Sequence, residues 1–235
     1  LNYDPDHYWE SYIAKYIKYE NNVLVTKDGS HFLKGKTGKK AKLIEVRSGN
    51  VVMEYVGHDK GVLCFEFSQN ESLLLTGGGD GKAILWEKKT GKLLRVFKGH
   101  SEPLFDVSFS HDEQKMVTTS WDGYVIVWDL KTGEKLERIN LGNVSANRVA
   151  FSQNDVYLFI SKLDKSFELR EIDTKEVARR FVGHTDNITH LVTDFEHQQF
   201  LTASKDGSAI LWDYNSGLIK RKFKHPKGAV HSAII

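Results

Sequence analysis

Apolar and polar positions along the chain repeat with a period of 42 residues. A line of phenylalanines, Phe67, Phe109 and Phe151, follows this stride, and the same step leads on to Thr193 and Ile235. Tryptophans, turn aspartates and glycines recur in the same register from about residue 21 onwards, without an insertion. Because several residue types share one period, the pattern predicts a repeat protein.

Each repeat carries the signs of four β-strands. Apolar residues alternate in segments such as PLFDVSF, a polar turn follows, and KMVTTS and YVIVWD supply two further β-rich runs. Asp-Gly pairs at 80–81, 122–123 and 206–207 favour tight hairpin turns between the second and third strands. The pattern therefore predicts an all-β fold in which every repeat is a four-stranded antiparallel meander.

A sheet of this kind has two faces to bury, and stacking it against copies of itself covers both, which favours closure into a ring. The period predicts five full units and one further first strand, near 21–58, 63–100, 105–142, 147–184, 189–226 and 229–235. We expect either a longer parent chain whose ring has about seven such sheets or a second chain that covers the open sheet edge.

Residues 1–20 depart from the repeat, and two interpretations of them stay open. Trp9, Tyr12 and Tyr16 recur with helical spacing after a Pro-containing start, which is typical of a short helix. The register instead predicts that residues 9–15 form the outer strand of a preceding sheet.

Three repeats share a fuller motif that resembles the WD-repeat family of β-propellers. The motif has Gly-His before the first strand, Asp in the second turn and Trp-Asp or Trp-Glu closing the third strand, and the likeness covers about residues 21–235. In that family the histidine, a strand-two hydroxyl, the aspartate and the tryptophan form a hydrogen-bonded tetrad. The resemblance implies three such sets here: His58, Thr76, Asp80 and Trp86; His100, Thr118, Asp122 and Trp128; His184, Thr202, Asp206 and Trp212.

Two repeats lack the tetrad. The fourth has Gly142, Ile160 and Arg170 in place of the histidine, hydroxyl and tryptophan and keeps only Asp164, and the first has Ile44 in the tryptophan position. We expect these two blades to be less rigid, or to be held by partners.

The sequence offers no catalytic apparatus. His, Asp and Thr together suggest a catalytic triad, but a set that recurs three times at one stride indicates a structural role. No paired cysteines and no short His-x-x-x-His segment point to zinc, and GKTGKK lacks the upstream glycine of a phosphate loop. We therefore expect no enzyme activity, no metal and no cofactor.

Composition excludes several classes of partner. The formal net charge of +2 gives no electrostatic reason for nucleic acid as the main ligand, and no run of about 18 apolar residues predicts a membrane span. The single cysteine, Cys64, does not suggest a disulfide-stapled secreted fold, so we expect an intracellular protein, in the cytoplasm or nucleus.

WD-repeat proteins commonly bind partners at the narrow face around the central channel, and the register identifies the residues that belong there. Trp121 draws attention because it lies at a turn and is not the structural tryptophan of its repeat, and Phe105 belongs to the same unit. Two aromatic side chains beside a channel favour an anchor for a peptide. The predicted top-face residues are Trp121, Phe105, Leu63, Lys60, Glu102, Asn147, Arg148, Thr189, His190 and Lys205.

These features favour a non-catalytic scaffold or adaptor that assembles a multiprotein complex through its top face, as a subunit that binds other proteins or peptides. The alternative is an interaction or sensory appendage of a larger signalling enzyme whose catalytic part lies outside this chain.

Overall fold

The fold is all-β, with five four-stranded antiparallel sheets. A computed structural model describes residues 23–35, 38–225 and 228–230. The chain divides into two compact units, residues 1–99 with the first two sheets and residues 100–235 with the other three. We call the sheets blades 1 to 5 in chain order.

The strands of each blade follow one another along the chain. Blade 1 comprises β1 (Val23–Val25), β2 (His31–Lys34), β3 (Lys40–Glu45) and β4 (Val51–Val56). Blade 2 comprises β5 (Val62–Phe67), β6 (Leu73–Gly78), β7 (Lys82–Glu87) and β8 (Leu93–Lys98). Blade 3 comprises β9 (Leu104–Phe109), β10 (Lys115–Ser120), β11 (Tyr124–Asp129) and β12 (Lys135–Asn140). Blade 4 comprises β13 (Ala146–Phe151), β14 (Tyr157–Lys162), β15 (Phe167–Glu171) and β16 (Val177–Phe181). Blade 5 comprises β17 (Ile188–Asp194), β18 (Gln199–Ser204), β19 (Ser208–Asp213) and β20 (Ile219–Lys224).

Local sequence explains the meander. At the Asp-Gly turn of blade 3, Gly123 has a φ of 78°, which glycine adopts without steric cost, and its N–H donates to the Ser120 carbonyl at 3.4 Å. The Asp122 carboxylate accepts the Tyr124 N–H at 3.0 Å and so fixes the start of β11. The strand pairs that follow in chain order are all antiparallel, as the hairpin signals predict.

Blades pack face to face through their apolar positions within each unit. In the first unit, Tyr55 of blade 1 meets Trp86 of blade 2 edge to face, with the ring centroids 5.7 Å apart. In the second unit, Phe181 of blade 4 meets Trp212 of blade 5 in the same way, at 5.6 Å. Trp86 and Trp212 are buried, so the tryptophan of the repeat is a core residue of the blade interface.

The prediction of five four-stranded blades is confirmed. The larger ring of about seven blades stays a prediction. Residues 1–20, and most of the strand predicted for 229–235, lie outside the described residues. The described residues contain no helix that is long and apolar enough to cross a membrane.

Candidate functional site

The three predicted tetrads are assembled, and their geometry is nearly the same each time. In blade 3, His100 Nδ1 lies 2.8 Å from Asp122 Oδ2 and His100 Nε2 lies 2.8 Å from Thr118 Oγ1. Trp128 Nε1–H donates to the same hydroxyl at 2.9 Å. The corresponding bonds in blades 2 and 5 span 2.8 to 3.0 Å. Each tetrad therefore ties the third strand of a blade to the loop that precedes its first strand.

These tetrads are structural because every polar group in them is already used. With the histidine neutral, its Nδ1–H donates to the carboxylate and its Nε2 accepts the threonine O–H, while the threonine oxygen accepts from the tryptophan. Burial is the largest effect on the pKa of His100 and of His184, and it lowers both, although the neighbouring carboxylates oppose it. Burial would raise the pKa of Asp206, but hydrogen bonds from Ser208, the Thr185 N–H and His184 outweigh it and hold that pKa well below its usual range.

We expect the free energy of unfolding to fall as the pH drops from neutral through the ordinary histidine pKa of about 6.5. The folded pKa of His100 and His184 lies below the unfolded value, so the unfolded chain binds more protons in this window. The stabilisation is thus present above the unfolded pKa and is lost as the pH falls towards the folded pKa. Urea unfolding over a pH series measures it.

In that series His184→Gln should show a shallower pH dependence, because one of the buried titrating groups is gone. His197→Gln is the control, since the His197 ring is exposed in the turn between β17 and β18. An unchanged slope in His184→Gln would contradict the assignment.

Blade 4 replaces its missing tetrad with a buried ion network that the sequence did not reveal to us. Arg170 Nε and Nη2 donate to Glu168 Oε1 at 2.8 and 2.7 Å, and Lys162 Nζ lies 3.1 Å from Glu168 Oε2. The Glu168 side chain is 1% exposed. A signal was present: Glu168 stands in register with Ile84, Ile126 and Ile210, so a carboxylate at this position needed buried cationic partners. In blade 4, the ion pairs of Glu168 with Arg170 and Lys162 stand in place of the tetrad hydrogen bonds. The lower rigidity of this blade stays a prediction.

The predicted top-face residues of the first strands, Leu63, Phe105, Asn147 and Thr189, share an unexpected feature, a β-bulge. In β9, Leu104 pairs with Ser120 and Asp106 pairs with Thr119, which leaves Phe105 as the extra residue between them. The same shift occurs in blades 2, 4 and 5, and the extra residues there are Leu63, Asn147 and Thr189. Bulges redirect a side chain away from the ladder, so they set these positions apart from the rest of the sheet.

Phe105 and Trp121 form a partly exposed aromatic pair. Their ring centroids are 5.5 Å apart at an interplanar angle of 59°, and Trp121 is 59% exposed although it is a large aromatic residue. The backbone of Trp121 is held at both sides, since its N–H donates to the Pro103 carbonyl at 3.1 Å and its carbonyl accepts from Ser145 Oγ at 3.0 Å. The ring is thus presented to solvent from a fixed backbone.

Three of the predicted binding residues donate to backbone carbonyls, two of them to the next blade. Arg148 Nε donates to the Thr189 carbonyl at 2.6 Å, Asn147 Nδ2 donates to the Ile188 carbonyl, and Thr189 Oγ1 donates to the Val230 carbonyl at 2.6 Å. Asn147 and Arg148 therefore link the first strands of blades 4 and 5, whereas Thr189 bonds to a residue that follows blade 5. That they also bind a partner stays a prediction.

The other predicted binding residues differ in their exposure and contacts, and their place on a binding face stays a prediction. Glu102 and Lys205 are exposed in the second unit, and Lys60 is exposed in the first. The Glu102 carbonyl accepts from Ser120 Oγ at 2.9 Å, and His190 pairs with Ala203 on β18.

Asp106, a half-buried acid, follows Phe105 in β9. Its Oδ2 accepts the Val149 N–H at 3.0 Å. Burial raises the pKa of Asp106, against the opposing charge of Arg148 and the hydrogen bonds from Val149 and Val107.

Among the described residues, no group of three or more His, Cys, Asp or Glu side chains is placed to hold a metal ion.

Comparison with known proteins agrees with this architecture. A family model described as "WD domain, G-beta repeat" matches residues 49–87, 91–129 and 175–213. Each of these three segments contains the tryptophan of one tetrad. The two repeats that have Ile44 or Arg170 in the tryptophan position are not matched. A search of curated proteins finds no match to the chain. From its repeats and blades, the chain is a member of the WD-repeat β-propeller family.

Proposed function

We propose that this chain is a non-catalytic scaffold that binds a peptide segment of a partner protein at Phe105 and Trp121 and so helps to assemble a multiprotein complex. WD-repeat propellers generally mediate protein–protein interaction and typically carry no catalysis, which supports the broad class. The observation that carries the specific site is the exposed Trp121 ring, stacked at an angle on Phe105 and held by a fixed backbone.

Physical chemistry favours this pair as an anchor. A rigid aromatic side chain loses little conformational entropy when it is buried by a partner, and it removes a large apolar area from water. Exposed Glu102 and Lys205 and the half-buried Arg148 supply charges of both signs in the same unit, which suits a polar rim around an apolar centre. The carboxylates and histidines of the tetrads are occupied in structural hydrogen bonds, which supports a binding role over a catalytic one.

We expect Trp121→Ala to weaken binding of the partner peptide by about 2 kcal/mol, roughly thirtyfold in Kd, with a smaller loss for Phe105→Ala. The partner is first identified by affinity capture of the protein and mass spectrometry, and the affinity is then measured by calorimetry with the peptide that it contributes. Phe223→Ala is the matched control, since Phe223 is a 44% exposed aromatic residue on β20. Unchanged affinity in both Trp121→Ala and Phe105→Ala places the binding site elsewhere.

A further inference from the structure

An exposed leucine lies beside the aromatic pair, on the next blade. By the 42-residue period, Leu163 is the counterpart of Trp121, and its side chain is 40% exposed. The Leu163 N–H donates to the Ser145 carbonyl at 2.9 Å, and Ser145 Oγ donates to the Trp121 carbonyl at 3.0 Å. Both backbones are therefore held by the same residue, and Trp121 and Leu163 are neighbouring apolar points on one surface.

This surface belongs to blades that are packed together within the second unit. Val127 of blade 3 shares a core cluster with Leu158 of blade 4, and the Phe159 ring of blade 4 lies 4.8 Å from the Phe200 ring of blade 5. Leu163 is thus exposed although its blade has a neighbour on both sides. The Cα atoms of β9, β13 and β17 approach within 8 Å at each step, so about five residues of an extended peptide span the three blades.

An exposed carboxylate also adjoins the aromatic pair. The Glu102 carbonyl accepts from Ser120 Oγ at 2.9 Å, and the next residue, Pro103, accepts the Trp121 N–H at 3.1 Å, so residues 102–103 run beside Trp121. The Glu102 side chain is exposed, and its carboxylate has no partner among the described residues. By contrast, Glu137 of the same blade is already paired with a lysine at 2.7 Å. Glu102 is therefore available to a ligand.

The charges of this surface are divided between its two ends. The loops of blade 3 that adjoin Trp121, residues 99–103 and 120–123, contain two carboxylates and no lysine or arginine. The corresponding turns of blades 4 and 5 carry exposed Lys165 and Lys205. A basic residue of a ligand is attracted to the first end and repelled from the second, which gives the bound peptide a direction.

We propose that the partner peptide carries a lysine or arginine against the Trp121 ring, beside Glu102, and an apolar residue further along that packs on Leu163. This inference rests on the proposed function and adds the chemistry of the partner. A cation over the face of a tryptophan is attracted by the negative potential of the ring. The Glu102 carboxylate adds an ion pair, whereas it would repel an acidic residue at the same place.

The test selects a phage-displayed library of random heptapeptides on the full chain. We expect the enriched peptides to contain lysine or arginine with leucine, methionine or phenylalanine a few residues away. The best peptide is then made with a fluorescein label, and its affinity is measured by anisotropy. Glu102→Gln should weaken binding about fivefold, as expected from one exposed ion pair, and rising salt should weaken it in the wild type.

The controls remove the same groups from the other ends of the same blades. Glu134→Gln, in the exposed turn between β11 and β12, should leave the affinity unchanged. Leu163→Ala should weaken binding about fivefold, because an apolar contact is lost, whereas Val156→Ala, at a 39% exposed position between β13 and β14, should have no effect. Replacing the basic residue of the peptide by glutamine should cost as much as Glu102→Gln or more, and the two changes together should cost less than their sum.

Three results would overturn the proposal while the proposed function stands. These are enrichment of acidic or uncharged peptides that still require Trp121, a loss in Glu102→Gln no greater than in Glu134→Gln, or a loss in Leu163→Ala no greater than in Val156→Ala. Binding of the enriched peptides that is unchanged in both Trp121→Ala and Phe105→Ala would instead contradict the proposed function itself.

Discussion

Thr118→Val should lower the free energy of unfolding by about 3 kcal/mol, whereas Thr119→Val should leave it unchanged or raise it. Both side chains are 0% exposed, and the two residues are adjacent in β10. The Thr118 hydroxyl accepts from Trp128 Nε1 and bonds to His100 Nε2, so its removal leaves two buried polar groups without a partner. The Thr119 hydroxyl is buried and has no hydrogen-bond partner among the described residues, so its removal costs no bond.

The comparison is sharp because the chemical change is the same in the two variants. Urea unfolding followed by tryptophan fluorescence gives both free energies, with the m-value checked for constancy. Equal destabilisation by the two substitutions would show that the loss comes from packing of the γ-position and not from the tetrad hydrogen bonds.

Glu168→Gln should destabilise the protein by about 4 kcal/mol, the range expected when one partner of a buried ion pair is removed. The Arg170 and Lys162 side chains, 16% and 13% exposed, would then face each other without the carboxylate that separates their charges. Double replacement Glu168→Leu/Arg170→Leu should cost less than Glu168→Gln, because it leaves only Lys162 without its carboxylate and replaces the other two members by apolar side chains.

A double-mutant cycle of Glu168→Leu, Arg170→Leu and the variant that combines them isolates the coupling free energy between Glu168 and Arg170. Glu176→Gln serves as the control, since Glu176 is exposed in the turn before β16 and its substitution should stay within about 0.5 kcal/mol of the wild type. Additive free energies in the cycle would mean that Glu168 and Arg170 do not act as a pair.

The tetrads show how far a sequence can lead when the period is clear. A stride of 42 residues relates His100, Thr118, Asp122 and Trp128 to the same residue types in two other repeats, and the structure places them within hydrogen-bonding distance. The tetrad itself was implied by the resemblance to the WD-repeat family, and the prediction succeeds because the matching residues occupy fixed positions on a regular meander.

Blade 4 and the first strands mark the limit of that reasoning. The period shows that Glu168 replaces an isoleucine, but only side-chain geometry shows that Arg170 and Lys162 both reach it. Similarly, the period places Asn147 and Arg148 on the inner edge of their blade. It does not say whether their donors point to a ligand or to the carbonyls of Ile188 and Thr189, which lie 41 residues further along.

The bulge in β9 has an evolutionary consequence. Since Phe105 has no register partner on β10, its side chain can change without altering the ladder on either side of it. Leu63 holds the equivalent place in blade 2. A lineage that carries this fold could therefore acquire new recognition specificity through single substitutions at such positions, while the hydrogen-bonded interior of each repeat is inherited intact.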